Sequence, residues 1–288
     1  MAAPELVRRV VAGLALALLA AAAGWYGDWA LAALLAITAA LAAWEFYRIA
    51  RASGVSAFDA IGVPAAALLP LVVHAAYLGI YTVPLSAGAV LFLGIFGLAI
   101  WRRGPGGRPL ASVAVTLTGI VYTGGMLSFA YALRYHPYAV GRSAGAAVLL
   151  LPLLLTWSAD TGGYFVGRRF GRRKLMPAVS PGKTVEGAAG GLVIAMLFAW
   201  LYERHVLIPH AQLSFSPGAI LLFGAVVSVA AVVGDLAESL IKREAGVKDA
   251  SRIIPGHGGV LDRIDSLLFV LPMSYWLLTV LRLLPVQR

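Results

Sequence analysis

Nine long apolar runs constrain this chain more than any other feature. They fall near residues 8–24, 29–47, 59–79, 85–101, 111–133, 145–166, 187–207, 217–241 and 266–284. Each is close to the roughly 20 apolar residues that carry a helix across a bilayer. The runs are rich in Ala and Leu and lack a period of two, so they read as helices rather than strands. Only 12% of the residues are charged, against roughly 25% in soluble domains, so the chain has too little polar surface to face water on all sides. The expected fold is an all-α integral membrane protein of about nine transmembrane helices. Residues 1–140 supply about five of them. Residues 141–288 form a second region with polar loops at 167–186 and 242–265. Arg8 and Arg9 ahead of the first run also fit a secretory signal peptide. "GWYGDWA" after it reads instead as a tight turn into a second helix.

Charge placement predicts orientation. With the N-terminus inside, 18 of the 23 Lys and Arg residues fall on the cytoplasmic side, and Arg134, Arg142, Arg204, Arg282 and Arg288 fall on the other. This follows the positive-inside rule and puts the C-terminus outside. The two polar loops are different in kind, because they hold both signs. With their flanking helix ends they contain Asp160, Glu186, Asp235, Glu238, Glu244, Asp249, Asp262 and Asp265, eight of the thirteen acids, beside the densest bases. Mixed charge at a helix mouth points to a site for a metal and an anion. The chain has no cysteine, which removes disulfides, thiolate metal sites and cysteine nucleophiles.

Three motifs carry the chemistry. "SPGKTVEG" (Ser180–Gly187) is not a P-loop, since Pro177 stands where that loop needs Gly and no strand is expected before it. Two readings stay open. Thr184 and Glu186 serve as a helix N-cap and a first-turn acid, or Ser180, Lys183 and Thr184 bind phosphate with nearby backbone N–H groups. In "GDLAESLIKRE", Asp235, Glu238 and Lys242 are spaced i, i+3, i+7 on one helix face, with Ser239 beside them. An ionised acid facing lipid is costly, so Asp235 should face the interior with a partner, and Asp160 carries the same argument. In "GHGGVLDRID", Gly256, Gly258 and Gly259 allow a sharp turn before Asp262 and Asp265, with Arg263 on another face. Paired-His metal spacing is absent, and the oxygen-rich set suits magnesium.

From Ser239 to Asp265 the chain reads S-x-I-K-R-x4-K-D-x-S-x2-I-P-x-H-G-G-V-x-D-R-I-D. This resembles the signature of the phosphatidate cytidylyltransferases, or CDP-diacylglycerol synthases. Asp160–Gly187 resembles the same family's SPxKTxEG block, with departures at Gly163, Gly182 and Val185. The likeness is strongest over the C-terminal half. It implies an enzyme of the cell inner (plasma) membrane, with its site facing the cytoplasm. The implied reaction joins CTP and phosphatidate to give CDP-diacylglycerol and pyrophosphate. Magnesium dependence is implied, with potassium as a candidate second cation, and so is a homodimer. The resemblance puts metal ligands at Asp235 and Asp262, with Asp160, Glu238 and Asp265 as outer-shell or second-ion candidates. Lys183, Asp235, Lys242, Asp262 and Arg263 become the catalytic set. Ser180, Lys183, Thr184, Glu186, Ser239, Lys242, Arg243, Lys248, Asp249, His257, Gly258 and Gly259 become the substrate-binding set.

Rival readings are a polyprenol kinase, an archaeal lipid cytidylyltransferase and a secondary transporter. A transporter's charges should line a central path, whereas most here cluster at one membrane face.

Overall fold

The computed structural model describes residues 3–285 apart from Pro217, Pro255, His257, Arg282 and Leu283, with side chains from Val11 to Leu281 except Ala12. The helices are α1 (Ala3–Tyr26), α2 (Asp28–Ala52), α3 (Asp59–Tyr77), α4 (Leu85–Arg102), α5 (Pro109–Gly119), α6 (Met126–Arg134), α7 (Gly141–Phe170), α8 (Val185–Tyr202), α9 (Ala219–Glu244) and α10 (Leu261–Leu281). A π-helical segment, Ile120–Gly125, joins α5 to α6, and another, Glu203–Ala211, continues α8. Among the described residues, eight helical segments are long and apolar enough to cross a membrane, and each overlies one of the runs read from the sequence. The first run falls on α1, where the apolar stretch Gly13–Tyr26 is shorter than the other eight. Leu85, Ile100 and Trp101 are largely exposed. Helices suit such surroundings because their backbone hydrogen bonds are satisfied internally.

The chain divides into two compact units. The first comprises Met1–Ala20, Asp28–Ser128 and Ile241–Arg263. Within it α2 packs along α3. Tyr47 is fully buried, and a Cβ at Gly62 or Gly119 would overlap its ring. Its hydroxyl donates to Thr116 O at 2.8 Å, and Thr116 Oγ1 accepts the Phe58 N–H at 2.9 Å. Phe58, Ile95, Ala99, Val113 and Ile120 form an apolar cluster beside these bonds.

The second unit comprises Ala21–Gly27, Phe129–Leu240 and Ile264–Arg288. Within it α7 packs along α8. Gly163 and Gly167 on α7 meet Gly187 and Gly191 on α8, each pair at i, i+4 spacing. A Cβ on Gly191 would lie 2.6 Å from Ala159 O. Small residues in this arrangement let two membrane helices touch backbone to backbone. Arg134 donates to Gly24 O at 2.7 Å and Trp25 O at 3.2 Å, placing a cation at the C-terminal end of α1.

Two short ladders qualify the all-α expectation. β1 (Lys174–Met176) and β2 (Ser180–Thr184) form an antiparallel hairpin between α7 and α8, and β3 (Leu213–Ser214) pairs with β4 (Leu284–Pro285). The last helix begins at Leu261, ahead of the apolar run near 266, and Asp262 and Asp265 lie in its first two turns.

Candidate active site

In the second unit a cleft of about 490 Å³ is lined by residues of α7, the β1–β2 hairpin, α8 and α9. Asp160, Arg168, Lys174 and Lys183 supply its charge, and Ala188 and Val232 are among its apolar lining. The hairpin that presents Lys183 is fastened at both ends. Thr184 is the N-cap of α8, its Oγ1 accepting the Gly187 N–H at 3.1 Å. Glu186 Oε2 accepts the Arg172 and Arg173 N–H groups at 3.0 and 3.1 Å. Thr184 thus caps α8, and Glu186 ties the start of α8 to the backbone ahead of β1. Ser180 opens β2 opposite Met176.

Lys183 Nζ pairs with Asp235 Oδ2. Ser239 Oγ, one turn further along α9, lies 3.4 Å from Asp235 Oδ1. Asp160 is within electrostatic reach of both Lys183 and Asp235. The unit thus sets one lysine ammonium among acids in a cleft walled partly by glycine. Fixed charge of this kind can stabilise charge that develops on a bound anion. Asp235, expected to need a partner, is met by Lys183 of the hairpin. Glu238, on the same helix, is buried.

The first unit contains the other polar assembly. Lys242 Nζ meets Asp262 Oδ1 at 2.7 Å, with both side chains almost enclosed. Asp262 Oδ2 accepts the Ala250 N–H at 3.0 Å and the Gly259 N–H at 2.7 Å. Gly256 and Gly258 have φ of 75° and 82°, the left-handed conformation expected of a sharp turn. Ile254 and Gly258 form a bridge across it.

Glu45, which the sequence reading missed, is fully buried in α2 and accepts three hydrogen bonds from this loop. The signal was available, since it is an acid inside an apolar run, the criterion that singled out Asp235. Arg243, Lys248, Asp249 and Arg263 are exposed. Arg243 Nη1 reaches Val247 O at 3.4 Å. In the second unit, Asp265 Oδ1 accepts the Ser266 N–H at 2.6 Å. His257 lies outside the described residues.

Among the described residues, no three of His, Asp and Glu gather into a metal cluster. The two expected ligands differ in how they would receive a cation. The partners of Asp235 are a flexible ammonium and a hydroxyl at long range. Both can yield to a hard cation, so its oxygens fit magnesium. Asp262 has one oxygen on Lys242 and the other on two backbone N–H groups.

The sequence pattern of the cytidylyltransferase family matches residues 7–281. A phosphatidate cytidylyltransferase of Haemophilus influenzae is 47% identical over 153 residues, 52% of this chain and 52% of the relative. That of Bacillus subtilis is 47% identical over 134 residues, 46% of this chain and 48% of the relative. That of Synechocystis sp. is 32% identical over 286 residues, 90% of this chain and 91% of the relative. The chain spans about half the length of the first two relatives and nearly all of the third. The family match takes in both polar assemblies and nearly every helix, and the chain belongs to the cytidylyltransferase family.

Proposed function

We propose that the protein joins CTP to phosphatidate, giving CDP-diacylglycerol and pyrophosphate. The observation that carries this reading is Lys183, which lines a glycine-walled cleft with Asp160 and pairs with Asp235, in a chain of this family. A phosphate oxygen of phosphatidate attacks the α-phosphorus of CTP. The new P–O bond forms as the bridge to the β-phosphorus breaks, and its electron pair leaves with pyrophosphate. A phosphomonoester has a second pKa near 6, so the nucleophile is largely ionised at neutral pH. No protein base is needed, and none is assigned to His257.

The task left to the protein is to bring two polyanions together. Lys183 exchanges the carboxylate of Asp235 for a phosphate oxygen. Lys242, Arg243, Lys248 and Arg263 neutralise further phosphate charge. Asp235 and Asp262 would hold magnesium, with Asp160, Glu238 and Asp265 supporting them or a second cation such as potassium. When bound, the metal supplies positive charge to the phosphates.

Labelled CTP with phosphatidate vesicles tests the reaction. CDP-lipid and pyrophosphate are expected. A phosphorylated lipid with CDP, as from a polyprenol kinase, would overturn the reading. So would transport without turnover.

The same reading places a multi-pass protein of nine helices in the inner (plasma) membrane, its site facing the cytoplasm, and pairs it as a homodimer. Charge placement supports a cytoplasmic N-terminus and an external C-terminus. Reporter fusions at the two ends are expected to report opposite sides, and two ends on one side would refute nine spans. Light scattering of the solubilised protein would show one subunit mass if the dimer is wrong.

A further inference from the structure

An acid buried in an apolar helix is expensive unless its oxygens are satisfied. Glu45 meets that condition through a loop more than 200 residues further along the chain. Its Oε1 accepts the Ser251 hydroxyl at 2.5 Å and the Val260 N–H at 3.0 Å, and its Oε2 accepts the Leu261 N–H at 2.6 Å. These partners interleave with those of Asp262. The Gly259 N–H goes to Asp262 and the next two amides go to Glu45. Likewise the Ala250 N–H goes to Asp262 and the neighbouring Ser251 hydroxyl goes to Glu45. Gly259 has no room for a side chain, because its Cβ would lie 2.6 Å from Glu45 Oε1. The free N–H groups at the start of α10 also favour a negative charge there.

Two carboxylates therefore divide one set of donors between them. Without Glu45, the Val260 and Leu261 N–H groups and the Ser251 hydroxyl lose their acceptor, and Asp262 already accepts from the adjoining Gly259 and Ala250 N–H groups.

We propose that Glu45 is a positioning residue. It holds the loop from Lys248 to Arg263 so that Asp262 stays on Lys242 in the arrangement that nucleotidyl transfer uses. This rests on the functional reading above, in which Asp262 and Lys242 act on the phosphates and their cation. The bland alternative is that Glu45 is only a satisfied core acid that adds stability.

The test compares the full-length protein with Glu45→Gln, Glu45→Asp and Ser251→Ala. Turnover is measured per folded molecule with CTP and phosphatidate, and trypsin cleavage is followed after the exposed Arg252. Gln keeps the volume but offers one acceptor oxygen, and its amide N–H groups oppose the loop's donors. Glu45→Gln is expected to lower kcat by about tenfold or more, and to speed cleavage at Arg252 by a similar factor. KM for phosphatidate stays near its normal value. Ser251→Ala, which removes one of three donors, shows a smaller loss in the same direction, and Glu45→Asp recovers part of kcat.

Wild-type kcat per folded molecule in Glu45→Gln, even with a lower melting temperature, would overturn the positioning role. So would unchanged cleavage at Arg252. Failure of the functional reading looks different. The wild-type protein would make no CDP-lipid, while protection of Arg252 would still depend on Glu45.

Discussion

Lys183→Met is expected to lower kcat/KM by about a hundredfold or more while the protein stays folded. Removing one fixed group that stabilises transition-state charge costs on the order of 10² to 10³ in rate. Lys183 has the position for such a role. It sits one residue before the α8 cap, on a hairpin fastened by Thr184 and Glu186, and it lines the cleft beside Asp160 and Asp235. The stability cost should be small. Both partners of the Lys183–Asp235 pair are part exposed, at 25% and 32%, and such pairs contribute about 0–1 kcal/mol. The capping bonds do not involve the Lys183 side chain. Lys183→Arg keeps the charge but spreads it over a planar fork, so only partial recovery is expected. Kinetics with each substrate varied, alongside a thermal melt in detergent, decide the matter. Unchanged kcat/KM for both substrates would remove Lys183 from the reaction. A large fall in melting temperature with intact kinetics would make it structural.

The sequence made the spans legible because a bilayer tolerates little else. Among the described residues, eight of the nine runs appear as helical segments of membrane-spanning length. The short ladders were not legible, since strands of two to five residues at helix connections are too brief to show a period. The apolar run near 266–284 falls short of the start of α10 because Asp262, Arg263 and Asp265 make its first turns polar. Burial of that end depends on Glu45 from α2, a pairing no local pattern reveals. Asp235 shows the same limit. Helical spacing put Asp235, Glu238 and Lys242 on one face, yet it is the hairpin that brings Lys183 to Asp235. The need for a partner could be deduced from the cost of a lone acid, but the partner's identity required the fold.

Asp262→Asn is expected to lose turnover by about a hundredfold or more and to be measurably less stable, whereas Asp235→Asn should lose as much turnover with little change in stability. The resemblance treats the two acids alike, but their surroundings differ. Asp262 accepts from Lys242 and from two backbone N–H groups, and only 6% of its side chain is exposed. Asn keeps one acceptor oxygen and turns an NH₂ toward a donor. Hydrogen bonds to charged groups contribute about 1.5–3 kcal/mol, and breaking an enclosed pair by altering one partner costs about 3–5 kcal/mol. Since Asn retains part of the network, a loss of roughly 2–3 kcal/mol is expected for Asp262→Asn. Asp235 instead has a part-exposed ammonium and a hydroxyl at 3.4 Å, so its contribution to stability should stay within about 1 kcal/mol. Melts and single-turnover kinetics of the two variants separate these outcomes. The double variant then tests the proposal that both acids serve one magnesium. If they do, it should be little worse in turnover than either single variant, because groups that act as a unit are not additive. Multiplying losses would mean separate roles. Near-normal turnover and unchanged magnesium dependence in either single variant would remove that acid from the metal site.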